Sequence, residues 1–220
     1  MGNCPSLCFA FHYPLQKNSL SREGIESDIK RFEDFVSHKN FGFKIVTDST
    51  WLDNKELDIV FQKLINRSTE NFLLFFTGHY IDDSLVMPYG EKIKFSTIID
   101  LIERRCKFLG LKINIYCIMD CCKFKSCILP YKLGESQGYV STEIESRIIL
   151  ISSSSEYEKS INTKKGSSFS NIIFPLLYKD LETFEDISET TRILLQNQTP
   201  QIYSNVPWLC AVGNNRVNKI

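Results

Sequence analysis

A histidine and a cysteine each follow a short apolar run in this sequence, and together they could perform nucleophilic catalysis. His79 ends the run that begins at Asn71, and Cys122 ends the run that begins at Ile113. Continuous apolar runs of this length are typical of strands that are buried on both faces of a parallel sheet. Because ligands bind at the carboxyl ends of parallel strands, we expect the two side chains to share one crevice, as nucleophile and base.

The alternative interpretation is a pair of ordinary core strands that carry an incidental histidine and a buried thiol. A single Gly-His or a single cysteine favours that alternative. Both features occur here, with helical sequence between them, and this combination favours the catalytic interpretation.

Length and composition exclude several classes of protein. The chain has 220 residues, which fits one domain with one core. Its 26 basic and 26 acidic residues balance, which argues against a nucleic-acid-binding surface. No run approaches the ~18 apolar residues of a membrane helix, and no signal peptide is recognisable. The eight cysteines show no zinc-ligand spacing, so we expect reduced thiols, no metal and no cofactor in a cytoplasmic protein.

The first six residues carry a lipidation signal. Gly2 and Ser6 occupy the positions that the N-myristoylation pattern requires, and Cys4 could accept a palmitoyl chain. Two acyl chains anchor a protein stably where one does not. We therefore predict peripheral membrane attachment through Gly2 and Cys4, with a plain lead-in to the first strand as the alternative.

Strand-like and helix-like segments alternate along the rest of the chain. The predicted strands are 6–13, 43–46, 72–79, 113–122, 148–151 and 202–212, and the predicted helices are 21–39, 53–67, 97–108 and 168–181. A small hairpin is expected within 85–95, and the one long loop is 123–145. This alternation predicts an α/β sandwich with right-handed crossovers.

Several motifs, in their order and spacing, resemble the caspase superfamily of cysteine proteases, which includes caspases, paracaspases and metacaspases. The 43 residues from His79 to Cys122 fit the roughly 50-residue interval of the group. Asp120 matches the Asp-x-Cys pattern of paracaspases and metacaspases, which selects Cys122 over Cys121 as the nucleophile. The motifs are Arg22-x-Gly24 with Asp28, Phe76 to His79, Met119 to Cys122, Ser152 to Phe169, and Val206-Pro207.

The resemblance implies a three-layer α/β sandwich with a mostly parallel six-stranded sheet and helices on both faces. It divides the single domain 1–220 into a large-subunit-like part (1–122), an intersubunit-like loop (123–146) and a small-subunit-like part (147–220). The strand around Val206-Pro207 resembles the terminal strand that pairs caspase dimers. We therefore expect a homodimer or heterodimer through the C-terminal strand.

The activity implied by the resemblance is peptide hydrolysis by a Cys122–His79 dyad in regulatory or cell-death proteolysis. The family would bind the oxyanion through backbone N–H groups, here those of Gly78 and Cys122. It would bind a polypeptide substrate through Arg22, Asp120 and Ser155.

Two departures from the family pattern affect this expectation. Asp120 and Ile161 replace a glutamine and an arginine with which caspases bind a P1 aspartate, so we expect a preference for P1 arginine or lysine over aspartate. Tyr80 replaces the glycine that follows the family's histidine. If that position requires positive φ or a close backbone approach, Tyr80 is strained and the oxyanion hole, with it the activity, is impaired. The alternatives are therefore a catalytically impaired homologue that acts as a dimerising regulator, and a lipid-anchored adaptor.

Overall fold

The computed structural model of the protein describes residues 4–11, 24–47, 53–124, 128–133, 144–155, 157–163, 165–178, 184–195 and 198–205. The strands of the main sheet are β1 (Ser6–Ala10), β2 (Phe43–Val46), β3 (Asn71–Thr77), β7 (Asn114–Asp120), β8 (Tyr131–Lys132), β9 (Arg147–Ser152) and β12 (Gln201–Ser204). Short strands outside it are β4 (Tyr80–Ile81), β5 (Ser84–Val86), β6 (Lys92–Lys94), β10 (Asn162–Thr163) and β11 (Gly166–Ser167). The helices are α1 (Ile25–His38), α2 (Asn54–Leu64), α3 (Phe95–Leu109), α4 (Ser168–Tyr178) and α5 (Phe184–Leu194).

The main sheet has seven strands in the order β2-β1-β3-β7-β9-β12-β8. The pairs from β2 to β9 are parallel, whereas β12 runs antiparallel to β9 and to β8. The predicted mostly parallel sheet is confirmed. It has one strand more than expected because β8, from the predicted long loop, pairs with the outer edge of β12.

Helices cover both faces of the sheet, which explains the continuous apolar runs. Leu74 and Phe76 of β3 belong to a core shared with α2 and α3, whereas Leu73 and Phe75 belong to a second core shared with α1, α4 and α5. Successive residues of a strand point to opposite faces, so a strand between two helical layers is apolar throughout. No helix in the described ranges is long and apolar enough to cross a membrane.

Two helices begin at residues whose backbone requirements are visible in the sequence. Asp53 caps α2 by accepting hydrogen bonds from the N–H groups of Lys55 and Glu56, and Glu56 bonds back to the N–H of Asp53. Gly24 precedes α1 with φ 82°, and a Cβ at this residue would lie 2.3 Å from backbone atoms of Thr163 and Gly166. A glycine therefore lets α1 approach the β10–β11 hairpin closely.

The small three-stranded sheet extends the predicted hairpin. Asp82 and Asp83 form its first turn with φ 51° and 57°. Two consecutive residues with positive φ are typical of a tight two-residue hairpin, in which aspartate is tolerated. This turn joins β4 to β5 and begins three residues after the predicted catalytic histidine.

Candidate active site

The sheet brings the positions of His79 and Cys122 to the same edge. Strands β3 and β7 pair in parallel register with Thr77 beside Asp120, so each candidate residue lies two positions beyond a paired residue. The Gly78 N–H donates to the Asp120 carbonyl at 3.3 Å and extends the pairing by one step. His79 is half-buried and Cys122 is partly exposed. Both residues therefore follow adjacent strands at their carboxyl ends, as the sequence predicts.

Ser153 and Ser154, which follow β9, bind the backbone of Cys121 just past the end of β7. The backbone N–H of Cys121 donates to Ser153 Oγ at 3.1 Å, and the Cys121 carbonyl accepts from Ser153 Oγ at 3.1 Å and Ser154 Oγ at 2.8 Å. Cys121 is fully buried, and Lys123 turns the chain with φ 52°. Cys122 is thereby presented at the edge while its neighbour stays in the core, which favours Cys122 as the nucleophile.

Burial also distinguishes Cys122 from the other cysteines in the described part of the chain. Burial raises the pKa of Cys4 to about 12, and burial together with the nearby Glu103 carboxylate raises the pKa of Cys106 to about 11. Burial raises the pKa of Cys117 still further. These thiols stay protonated at neutral pH, and a protonated thiol is a poor nucleophile.

Ser160 contacts both the candidate nucleophile and the residue predicted to bind the P1 side chain. Its backbone N–H donates to Cys122 Sγ at 3.2 Å, and its hydroxyl donates to Asp120 Oδ1 at 2.8 Å. Asp120 is fully buried. Ser160 could not be identified from the sequence, because a serine in a polar segment carries no signal of such contacts.

A second buried carboxylate adjoins the first. Thr77 Oγ1 lies 3.5 Å from Oδ2 of Asp120 and 3.5 Å from Oδ2 of Asp28. Asp28 accepts the Ser167 N–H at 2.9 Å and pairs with Arg31 at 3.2 Å. Since a hydroxyl has one hydrogen to donate, Thr77 serves one carboxylate at a time. Asp28, which follows the predicted Arg22-x-Gly24 motif, thus joins α1 to β11.

Tyr80, which stands in place of the family's glycine, does not adopt positive φ, so the strain that positive φ would cause is absent. Within the described ranges the positive-φ residues other than glycine are Asn40, Asp82, Asp83 and Lys123. The Tyr80 ring lies 4.8 Å from the Phe124 ring between centroids, and its hydroxyl donates to Asp83 Oδ1 at 2.5 Å. A large side chain is accepted because β4 is extended and Phe124 offers a ring to pack on. Phe124 was not identified from the sequence.

The described state does not present every predicted binding group to a substrate. The Gly78 N–H is engaged with the Asp120 carbonyl, so its role in binding an oxyanion stays a prediction. Ser155 is half-buried and donates its N–H to Glu158 Oε2 at 3.2 Å. Ile161 is 38% exposed, and Arg22 lies outside the described residues.

The lipidation prediction meets one unfavourable observation. Cys4 is 2% exposed and belongs to the core shared with α1 and α4. A buried thiol of raised pKa cannot be acylated in this conformation, so palmitoylation of Cys4 would require the chain to leave the core. Gly2 lies outside the described residues, and its myristoylation stays a prediction.

No group of three histidine, cysteine or acidic side chains within the described ranges is arranged to hold a metal ion.

The predicted terminal strand is described only as β12, and residues 206–220, with Val206 and Pro207, lie outside the described part. The outer edge of β12 pairs with β8 at Tyr203 and Ser204.

Solved structures with the same architecture place this geometry in context. The protein is similar to caspase-1 from Spodoptera frugiperda, with a TM-score of 0.66 and 15% identity over 91% of this chain and 86% of that chain. It is also similar to a protein from Geobacter sulfurreducens, with a TM-score of 0.65 and 12% identity over 93% of this chain and 94% of that chain. No protein-family profile and no curated protein matches the sequence. At identities this low, the structural similarity establishes the fold alone. The protein therefore has a caspase-like fold.

Proposed function

We propose that the protein is a cysteine endopeptidase in which Cys122 is the nucleophile and His79 is the general acid and base. The parallel register of β3 and β7 carries this proposal, since it brings both residues to one sheet edge. The partial exposure of Cys122, beside the full burial of Cys121, is consistent with it. The caspase-like fold is compatible with a polypeptide substrate.

The reaction follows from the two side chains. The Cys122 thiolate attacks the carbonyl carbon of the scissile peptide bond, and the resulting oxyanion is held by backbone N–H groups. His79 then gives a proton to the leaving amine, the C–N bond breaks, and a thioester to Cys122 remains. In the second half, His79 takes a proton from water as the water attacks the thioester, which releases the acid and restores the thiolate.

Asp120 supports a proposal for substrate preference. A carboxylate in a desolvated pocket repels a P1 aspartate and attracts a cationic P1 side chain. In the described state Asp120 is fully buried close to Cys122, with Ser160 and Thr77 as hydroxyl partners. We therefore propose arginine or lysine at P1.

Labelling of the purified protein with electrophilic peptides tests both proposals. Three probes of otherwise identical sequence end in Arg, Lys or Asp. The Arg and Lys probes should label the wild type faster than the Asp probe does. Cys122→Ala should abolish labelling, and His79→Ala should reduce it by about two orders of magnitude or more. Cys121→Ala is the matched control, because it removes the adjacent buried thiol and should leave labelling intact. Labelling that survives Cys122→Ala would rule out the proposed nucleophile, and labelling by the Asp probe alone would rule out the basic preference.

A second candidate function is that of a regulator without protease activity. One observation favours it: Cys122 Sγ and the Asp120 carboxylate both already bond to Ser160, so the described state offers neither group freely to a substrate. A regulator would keep its cellular effect in the Cys122→Ala variant, whereas an enzyme would lose it.

A further inference from the structure

One residue has two contacts that a bound substrate would need for itself. A scissile carbonyl carbon must come within about 3–3.5 Å of Cys122 Sγ, and a basic P1 side chain must reach Asp120. The Ser160 nitrogen is already 3.2 Å from that sulfur, and the Ser160 hydroxyl is 2.8 Å from Asp120 Oδ1. Substrate and Ser160 therefore compete for the same two groups.

The segment that carries Ser160, residues 157–161, is called the covering segment below. It is attached directly to the turn after the nucleophile, because the Lys123 N–H donates to the Glu158 carbonyl at 2.9 Å. The Glu158 carboxylate accepts the Thr199 N–H at 2.8 Å, the Thr199 hydroxyl at 2.7 Å and the Ser155 N–H at 3.2 Å. One carboxylate thus ties the covering segment to residues just before β12.

A buried glutamine fixes the other end of the covering segment. Gln198 is 3% exposed, and its Oε1 accepts the Ile161 N–H at 3.3 Å. Its Nε2 donates to the Ser153 carbonyl at 3.1 Å, on the serine run that also holds Cys121. Residues 198 and 199 together therefore hold both ends of the covering segment over Cys122.

The covering segment has little apolar anchoring of its own. Tyr157 is 84% exposed, Ile161 is 38% exposed and Lys159 is exposed. A segment held mainly by hydrogen bonds at the surface opens locally at a lower cost than a segment buried in the core. It can leave Cys122 while the sheet stays folded.

From these contacts we infer that the covering segment is an autoinhibitory strap, in which Ser160 blocks Cys122 and Asp120 until the Glu158 and Gln198 contacts are released. The inference rests on the proposed function, because it assigns a regulatory role to contacts at the proposed nucleophile and substrate pocket. Movement of residues 198–199, which lead into β12, would couple the C-terminal strand to opening of the site.

The rate of Cys122 alkylation tests the inference without requiring protease activity. Iodoacetamide is used at neutral pH, modification is located by site-resolved mass spectrometry, and Cys122→Ala supplies the background. Glu158→Gln removes the charged acceptor, and Ser160→Ala removes the bond to Asp120. Each should raise the rate constant about three- to tenfold, because the open population grows as hydrogen bonds are lost. Lys159→Ala, an exposed position in the same segment, is the matched control and should leave the rate unchanged.

The outcomes separate this inference from the proposed function. Unchanged alkylation in both Glu158→Gln and Ser160→Ala, with urea unfolding showing that each is folded, would overturn the autoinhibitory strap. If Ser160→Ala does not fold, Glu158→Gln, which preserves size and shape, decides alone. Hydrolysis of a peptide ending in arginine is measured in parallel. Faster alkylation without hydrolysis would support the strap and contradict the protease, whereas hydrolysis without faster alkylation would do the reverse.

Discussion

The strand ends that position the two candidate catalytic residues and the segment that covers them are held by different forces. Strands β3 and β7 are buried between two helical layers, and almost every side chain in them lies in the core. The covering segment instead exposes Tyr157, Lys159 and Ile161 and is held by hydrogen bonds to residues 198 and 199. Opening the strands requires global unfolding, whereas opening the segment does not. The placement of the residues is therefore rigid, and access to them is adjustable.

The largest effect on the free energy of unfolding should come from a substitution in the buried strands. Phe75 of β3 lies 5.7 Å from the Phe32 ring and 5.0 Å from the Phe174 ring between centroids. Phe75→Ala should lower the free energy of unfolding by about 3–5 kcal/mol, because the cavity removes contacts with both helices. Lys159→Ala, in the exposed covering segment, should change it by less than about 0.5 kcal/mol. Urea unfolding measures both, and similar losses at the two positions would contradict the comparison.

A smaller effect is expected where α1 meets the β10–β11 hairpin beside the site. Gly24 has φ 82°, and an added Cβ would lie 2.3 Å from backbone atoms. Gly24→Ala combines a left-handed backbone with a backbone clash and should destabilise the fold by about 2–4 kcal/mol. Gly42 has nothing within 4 Å of such a Cβ. Gly42→Ala is the matched control, and we expect it to be neutral within about 0.5 kcal/mol. Equal thermal midpoints for the two variants would show that the close approach at Gly24 is unimportant.

The strands around the site could be predicted because their burial leaves a direct mark on the sequence. Strands predicted at 72–79 and 113–122 are observed as β3 and β7 to within two residues, since burial on both faces demands an unbroken apolar run. The start of α2 was predictable for another local reason, the capping box of Asp53 and Glu56. Both candidate residues were expected at one edge because the carboxyl ends of neighbouring parallel strands lie at the same edge of a sheet.

The remaining features depend on contacts between distant segments. Strand β8 has two residues, too few to show a period, and it exists only because β12 offers an edge. Whether Tyr80 is strained could not be predicted, since the sequence reveals neither its backbone conformation nor that Phe124 packs against its ring. The contact of Ser160 with Cys122 joins positions 38 residues apart within a polar segment. Helix α5 was also missed, because its few apolar residues, Phe184, Ile187, Ile193 and Leu194, lie among polar and charged residues.

The smallest predicted effect on the free energy of unfolding comes from the hydrogen bonds that hold the covering segment, and it depends on pH. Partial burial alone would raise the pKa of Glu158, but hydrogen bonds from Thr199 and Ser155 outweigh it and lower the pKa below its ordinary value of 4.5. A carboxylate whose pKa is lowered in the folded state stabilises that state above its ordinary pKa. The contribution is lost as the pH falls through the lower, folded-state value.

Glu158→Gln should therefore destabilise the protein by about 1 kcal/mol near pH 6 and by progressively less below about pH 4.5. Urea unfolding of the wild type and the variant across this range measures the difference. A double-mutant cycle of Glu158→Gln and Thr199→Val isolates the interaction between these two side chains. Their coupling free energy should fade over the same pH window. A difference that stays constant from about pH 6 to pH 3 would mean that the Glu158 carboxylate does not hold the covering segment. Access to Cys122 would then have to be controlled by Gln198 instead.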